Sequence, residues 1–302
     1  MSTKHVKNGI ERSIQRAGIR MIIPSMLIIT VFVLYPIIKS FYMSLYDWNI
    51  IKNSKLFLGL GNYLRAFNDE RFLNAFKNTV IYTVLYVPIL VILSLIFATL
   101  LSYDFKGSKA FKAIIFLPAI TSMAIIAIIF RFLLDGDIGL ISIYLKNMGF
   151  KVKDLLREPD SAMGMIIFVG VWRWIGFNMV IILAGLNSIP ESLYESAEID
   201  GAGKVKQFFS ITLPLLAPTL SFTIITNLIS SFQVFDQVYV MTKGGPLFST
   251  EVLVYYIYYR GFNVFEMGYS SSMAFILFIV ILLITLFQLK SFKKAENNGD
   301  YS

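Results

Sequence analysis

Long apolar stretches separated by short polar intervals repeat along almost the whole chain. Crossing about 30 Å of hydrocarbon takes about 20 helical residues, and apolar runs of that order lie at 21–41, 79–101, 113–134, 162–186, 215–241 and 267–289. Each run is continuous rather than alternating, which excludes a closed β-barrel and leaves helices as the spanning structure. The expected fold is an all-α integral membrane protein with six transmembrane helices. Pro36, Pro88, Pro118 and Pro218 fall inside runs, where neighbouring helices in a bundle can recover the carbonyls that a kink releases. No second domain, low-complexity tract or short-period repeat interrupts the pattern. The chain therefore divides into an arm at 1–20, a membrane domain at 21–290 and a tail at 291–302.

One polar interval carries its own helical pattern. Between the fourth and fifth runs, residues 187–212 contain "LYESAEIDGAG". Ser188 and Glu191 have the S-x-x-E spacing of a capping box, and Pro190 falls in the first turn, where its missing N–H costs nothing. Gly201 and Gly203 are candidates for the left-handed residue that ends the helix, which limits it to about three turns. Ile189, Leu193 and Ala197 line one face, and Glu191, Glu195 and Glu198 another. So short a helix is marginal alone in water, and its like charges weaken it further. Its surface suits a protein partner: Leu193 and Tyr194 offer anchors, Ser196 and Ala197 permit close approach, and Glu195 can meet a basic residue. The alternative is a helix lying on lipid, against which the acids count, because an anionic leaflet repels them.

Composition removes most enzyme chemistry. Of 302 residues, 56% are hydrophobic and the mean hydropathy is +0.68, far from a soluble globular chain. Cysteine is absent and His5 is the only histidine, so thiolate nucleophiles, Ser-His-Asp triads and histidine metal cages are excluded. Gly203 and Lys204 mimic the end of a phosphate-binding loop, but Glu198 and Val205 occupy positions that need glycine and Ser or Thr. The chain is thus expected to bind no nucleotide by that route.

The net charge of +8 gathers where apolar runs end, not along a stripe that nucleic acid would use. Lys4, Lys7, Arg12, Arg16 and Arg20 precede the first run, which is read as an uncleaved span rather than a signal peptide. Together with Lys106, Lys109 and Lys112, and with Lys290, Lys293 and Lys294, they place both termini in the cytoplasm. The bias is imperfect, because the loops after the first and third runs hold bases too, mixed with acids such as Asp69, Glu70, Asp135, Asp137 and Asp154.

Glu195, Ser196, Ala197, Gly201, Ile211, Leu213 and Pro214 stand in the register E-A-A, three residues, G, nine residues, I-x-L-P, with Ser196 replacing an alanine. In this the chain resembles the permease subunits of maltose-type carbohydrate ABC importers. The resemblance extends through "FLGLGNYLRAFND", "NTVIYT", "FLPAI", "FDQVYVMTKGGP" and "MGYSSSMA". It implies a transport subunit, not an enzyme, that pairs with a second permease in a bacterial cell membrane. An ABC ATPase dimer would carry ATP and Mg below, and an extracellular binding protein would deliver sugar from above. The 187–212 segment would hold the coupling helix, with Leu193, Tyr194, Glu195, Ser196, Ala197, Asp200, Gly201, Ile211, Leu213 and Pro214 as coupling residues. ATPase closure would lever the fourth and fifth spans as rigid bodies.

Sugar recognition needs aromatic faces and convergent amides or hydroxyls. The fourth run supplies "VWRWIGFNM", in which Trp172, Trp174, Gly176 and Asn178 cluster around Arg173, and the fifth places Asn227 and Ser231 on one face near Gln233 and Asp236. The resemblance carries the sugar-contacting positions onto Trp172, Ile175, Gly176, Met179, Asn227, Ser231 and Val234; the family's polar residues are partly replaced at Trp172 and Val234. The tryptophans also suit an interfacial belt, and Asn or Ser in a span also serves as packing glue. The alternative for Arg173 and Asp236 is a structural ion pair between spans, and Arg131 snorkels. An ion-coupled secondary transporter using Arg173 and Asp236 is the alternative function, and it should show an internal repeat between halves.

Overall fold

The computed structural model describes residues 18–51, 54–103, 105–149 and 154–298. His5 and the basic residues Lys4, Lys7, Arg12 and Arg16 of the arm lie outside the described residues. Four helices are long and apolar enough to cross a membrane: Gly18–Ser44, Glu70–Ser102, Pro159–Asn187 and Met267–Lys290. The other two predicted spans are each a bent pair, Ser108–Ile120 with Met123–Leu133 at 98° and Lys204–Leu215 with Ala217–Met241 at 64°. Counting each pair as one span gives six.

The differences from the expected boundaries have local causes. The second span begins at Glu70 rather than 79 because Asp69 caps it, accepting hydrogen bonds from the backbone N–H groups of Arg71 (3.0 Å) and Phe72 (3.3 Å). Pro88 lies inside this helix without ending it, whereas Pro118 sits in a 3-10 turn, Leu117–Ile120, after which Thr121 and Ser122 are extended. That is where the third span breaks. In the fifth, Pro214 and Pro218 flank the bend at Leu216. The same span unwinds again over 233–235, between helices Ala217–Phe232 and Asp236–Met241, with neither proline nor glycine to announce it.

Two compact units make up the chain. One holds Met1–Ala66 and Arg260–Phe275. Its first span has a π-helical turn at Thr30–Leu34, just ahead of Pro36, and no buried residue before Ser44. An antiparallel ribbon follows, Tyr46–Asn49 with Ser54–Phe57, a small departure from an all-helical chain. Asn62 fastens it by donating to the carbonyls of Ser44 (2.9 Å) and Tyr46 (2.8 Å).

The other unit holds Phe67–Tyr259 and Ile276–Ser302, and the fourth span runs through its middle. One face packs Ile166, Ile167 and Val171 against Tyr82, Tyr86, Val87 and Leu90 of the second span. Further along, Met179, Ile182 and Leu183 meet Ala98, Leu101 and Leu216, while Val169 joins Met123, Ile126, Ala127 and Met241. In a bilayer these contacts hold by close packing and interhelical hydrogen bonds, since lipid tails are as apolar as the side chains. Close approach is literal at Gly176: a Cβ there would collide with the carbonyl oxygen of Ile115.

Candidate translocation cavity and coupling loop

The broken helices converge on a cavity of about 410 Å³. Non-helical backbone at membrane depth is tolerated where it lines a cavity, and the unwound 233–235 stretch does this, with Gln233, Val234 and Phe235 in the wall and Asp236 beside them. The break in the third span contributes Ser122 and Met123, the fourth span Arg173 and Trp174, and the second Tyr82 and Tyr86. Arg173 does not pair with Asp236. Its Nε (3.1 Å) and Nη2 (2.9 Å) both donate to the Thr121 carbonyl, at the end of the 3-10 turn, and its guanidinium lies 4.1 Å from the Trp174 ring centre. The free carbonyl at the break takes both donors; the Asp236 carboxylate makes no hydrogen bond or salt bridge among the described residues and meets Arg173 only through its charge. Arg131 reaches the Val240 carbonyl (3.3 Å).

Of the expected path residues, Ser231 and Val234 line this cavity. Ser231 Oγ also donates to the Leu228 carbonyl (2.7 Å) and lies 3.0 Å from Thr83 Oγ1. The other five sit at contacts within the bundle. Asn227 Nδ2 donates to Asn178 Oδ1 (2.6 Å) and to the Thr223 carbonyl (2.8 Å), so its amide joins the fourth and fifth spans. Met179 is fully buried, and Gly176 abuts the third span. The Ile175 carbonyl accepts from Ser94 Oγ (3.2 Å). Trp172 packs edge-on against Phe130, ring centres 5.1 Å apart. Sequence reasoning missed Tyr82, Ser122 and Gln237; Gln237 donates to Tyr82 Oη (2.7 Å), a contact across 155 residues that no local pattern announces.

In the loop between the fourth and fifth spans the helix is Glu191–Ile199. The capping box does not form: Pro190 is the cap residue, and Ser188 Oγ donates instead to the Gly185 carbonyl (2.7 Å) at the end of the fourth span. At the C-terminus Gly201 has φ +75°. Its N–H donates to the Glu198 carbonyl (3.0 Å) and that of Ala202 to Ala197 (2.8 Å), the paired bonds of a Schellman ending. Gly203 is extended and starts the next short helix. None of Leu193, Tyr194, Glu195, Ser196, Ala197 or the rest of this helix is buried. Leu193 is 42% exposed and Ile199 87%, and Asp200 and Gly201 are exposed beside them. Ile189 falls outside the helix, so the apolar face is shorter than expected. Tyr194 Oη lies 2.9 Å from Thr212 Oγ1, bridging a groove of about 670 Å³. That bond ties the helix to the stub bearing Ile211, Leu213 and Pro214, all half-buried, just ahead of the 64° bend.

After the fifth span, residues 242–252 are fastened to the start of the second. Arg71 grips Glu251 with two bonds, Nε to Oε2 (2.8 Å) and Nη2 to Oε1 (2.7 Å), and Glu251 is fully buried. Asn78 donates to the carbonyls of Phe248 (2.9 Å) and Glu251 (3.0 Å), and the Leu253 N–H donates to Thr79 Oγ1 (2.8 Å). The motif "NTVIYT" thus holds the segment that follows "TKGGP", far away in the chain.

Against this geometry, the family model described as "Binding-protein-dependent transport system inner membrane component" matches residues 56–291. The chain belongs to this family. The permease is therefore an inner membrane transport component, not an enzyme. It is 34% identical over 274 residues to the probable ABC transporter permease protein YurN of Bacillus subtilis (strain 168), covering 89% of this chain and 94% of the relative. It is also 34% identical over 288 residues to the lactose transport system permease protein LacF of Rhizobium radiobacter, covering 93% and 96%. The sn-glycerol-3-phosphate permease UgpA of Yersinia pestis bv. Antiqua (strain Antiqua) is 32% identical over 271 residues, covering 89% and 92%. In fold, the permease resembles a chain of a bacterial ABC transporter that imports the acidic polysaccharide alginate. The TM-score is 0.83 at 24% identity, over 96% of this chain and 99% of that one.

Proposed function

We propose that this permease forms half of the translocation path of an ATP-driven sugar importer, paired with a second permease in a bacterial cell membrane with both termini cytoplasmic. An ABC ATPase dimer carrying ATP and Mg docks beneath residues 187–212, and an extracellular binding protein delivers sugar at the opposite face. The observation that carries this reading is the Glu191–Ile199 helix: it is sharply ended, buries no side chain, and is tied through Tyr194 and Thr212 to the bent fifth span. A rigid helix so connected moves the span that supplies Ser231, Val234 and Asp236 to the cavity. The sugar assignment is supported by the cavity's hydroxyl and amide groups and by the lactose permease among its relatives. A bacterial alginate ABC transporter of similar fold has been captured in complex with a periplasmic protein bound to an alginate pentasaccharide, which supports a delivery partner.

In proteoliposomes holding the complete complex, Glu195→Ala and Gly201→Asp are expected to insert normally yet separate ATP hydrolysis from uptake. Normal sugar uptake in both variants refutes the coupling role. Uptake abolished by a protonophore at constant ATP returns the reading to an ion-coupled transporter.

A further inference from the structure

Two short helices, Asp236–Met241 and Leu253–Tyr258, flank the 242–252 loop and bring four aromatic rings together. Phe235, the cap residue of the first, stacks on Tyr239 one turn further on, with ring centres 5.3 Å apart. Tyr258 of the second lies 5.2 Å from Phe235 and 5.4 Å from Tyr239, and Tyr255 lies 6.5 Å and 6.3 Å from the same two rings. The spacings i, i+4 and i, i+3 put each pair on one helical face, and every distance falls where aromatic rings attract one another.

This cluster is not core. Tyr256, on the same helix, is buried and its Oη donates to Asp69 Oδ2 (2.6 Å), whereas Phe235, Tyr255 and Tyr258 are half-buried and Tyr239 is 39% exposed. Phe235 also belongs to the cavity wall, beside Gln233, so the rings continue the cavity towards the 242–252 loop. From this continuity we infer that the four rings form an entry site for sugar, on which a sugar ring rests its C–H face against Tyr239 and Tyr258 before passing Phe235 into the cavity. The inference rests on the sugar-import reading above and adds a second binding site for the same solute.

An aromatic face holds the apolar face of a sugar while leaving the sugar's hydroxyls in water. Binding of that kind is favourable enough to capture a solute and weak enough to release it onward, which a path requires. Half-exposed tyrosines also suit a lipid interface or a subunit contact. The stacking of Tyr239 on a ring of the cavity wall favours the path, because it makes Tyr239 the next surface outward from that wall.

The test uses the complete complex with its binding protein in proteoliposomes, and a sugar that the wild type is first found to carry. Uptake of no sugar by the wild type overturns the sugar reading itself. Tyr239→Leu and Tyr258→Leu are each expected to lower uptake about threefold to tenfold, the weight of one lost ring contact, while Tyr239→Phe and Tyr258→Phe, which keep the ring, recover most of it. Co-purification of the second permease is expected to survive in all four. Since this chain has no cysteine, Tyr239→Cys gives it a single thiol. With a membrane-impermeant thiol reagent on both sides of the membrane, that thiol is expected to react, as read by the mass of this chain, and to be protected by sugar-loaded binding protein but not by the empty one. Loss of the second permease from the leucine variants assigns the rings to the subunit contact, and an unreactive thiol places Tyr239 in lipid or against a partner. Either result overturns the entry site, as does wild-type uptake by both leucine variants or a thiol that loaded binding protein leaves unprotected.

Discussion

Residues 187–212 lead into the fifth span and residues 242–252 lead out of it, and the two loops are held by opposite means. The second is anchored through its interior. Glu251 has no solvent exposure, and both its oxygens are taken by Arg71, 180 residues away. The first has nothing buried in its helix, and among the described residues that helix makes one side-chain bond, Tyr194 to Thr212, to the span it serves. A loop locked to a span keeps a fixed shape, whereas a compact helix joined to a bent span at one point is free to present its surface elsewhere and pass on a push. The contrast is between a platform and a lever.

If the contrast is right, substitutions should divide accordingly. Glu251→Ala is expected to have the largest effect, about 2–3 kcal/mol, because it removes two charge-assisted hydrogen bonds from a half-buried arginine; thermal denaturation of the purified complex reads it. Arg71→Met combined with Glu251→Leu should regain much of that loss, since a well-packed apolar pair can replace a buried ion pair. Equal destabilisation of the single and double variants would show that shape, not charge, holds this loop. Next comes Gly201→Val, which places a branched side chain at φ +75° and should cost the loop helix about 1–2 kcal/mol. Its signature is lost transport with the bundle's melting temperature little changed. Tyr194→Phe should cost about 1 kcal/mol by leaving the buried Thr212 hydroxyl without its phenol, and is read as a fall in sugar uptake per ATP hydrolysed. Ile199→Ser, at 87% exposure, should alter stability by less than about 0.5 kcal/mol and still weaken co-purification of the ATPase. A stability loss as large as that of Glu251→Ala would mean that the lever is packed after all.

The apolar runs were legible because a membrane span must be long, continuous and uncharged over most of its length. Gly201 was legible for a similar reason: a left-handed residue ending a helix is nearly always glycine. Ser188 misled because a nearer acceptor, the Gly185 carbonyl of the preceding span, took its hydroxyl. Pro118 and Pro88 look alike in sequence, yet one marks a break of the helix and the other does not, since the cost of a proline depends on what neighbouring helices can offer the freed carbonyl. The unwound 233–235 stretch had no local marker at all. Its polar neighbours Gln233 and Asp236 hinted at a cavity, but Asn227 and Ser231, on one helical face, part company: one is drawn to Asn178 and the other reaches the cavity.

By itself the sequence determined that this chain lives in a bilayer, how many times it can cross, and where a short polar helix interrupts the crossing. These properties follow from hydropathy, period and glycine geometry, all of which act over a few turns. The tertiary structure alone decided which polar groups face the cavity, that Arg173 serves the third span rather than Asp236, and that Glu251 is locked to Arg71. Each of those outcomes is a competition among donors and acceptors far apart in the chain, and only the packed bundle brings the competitors together.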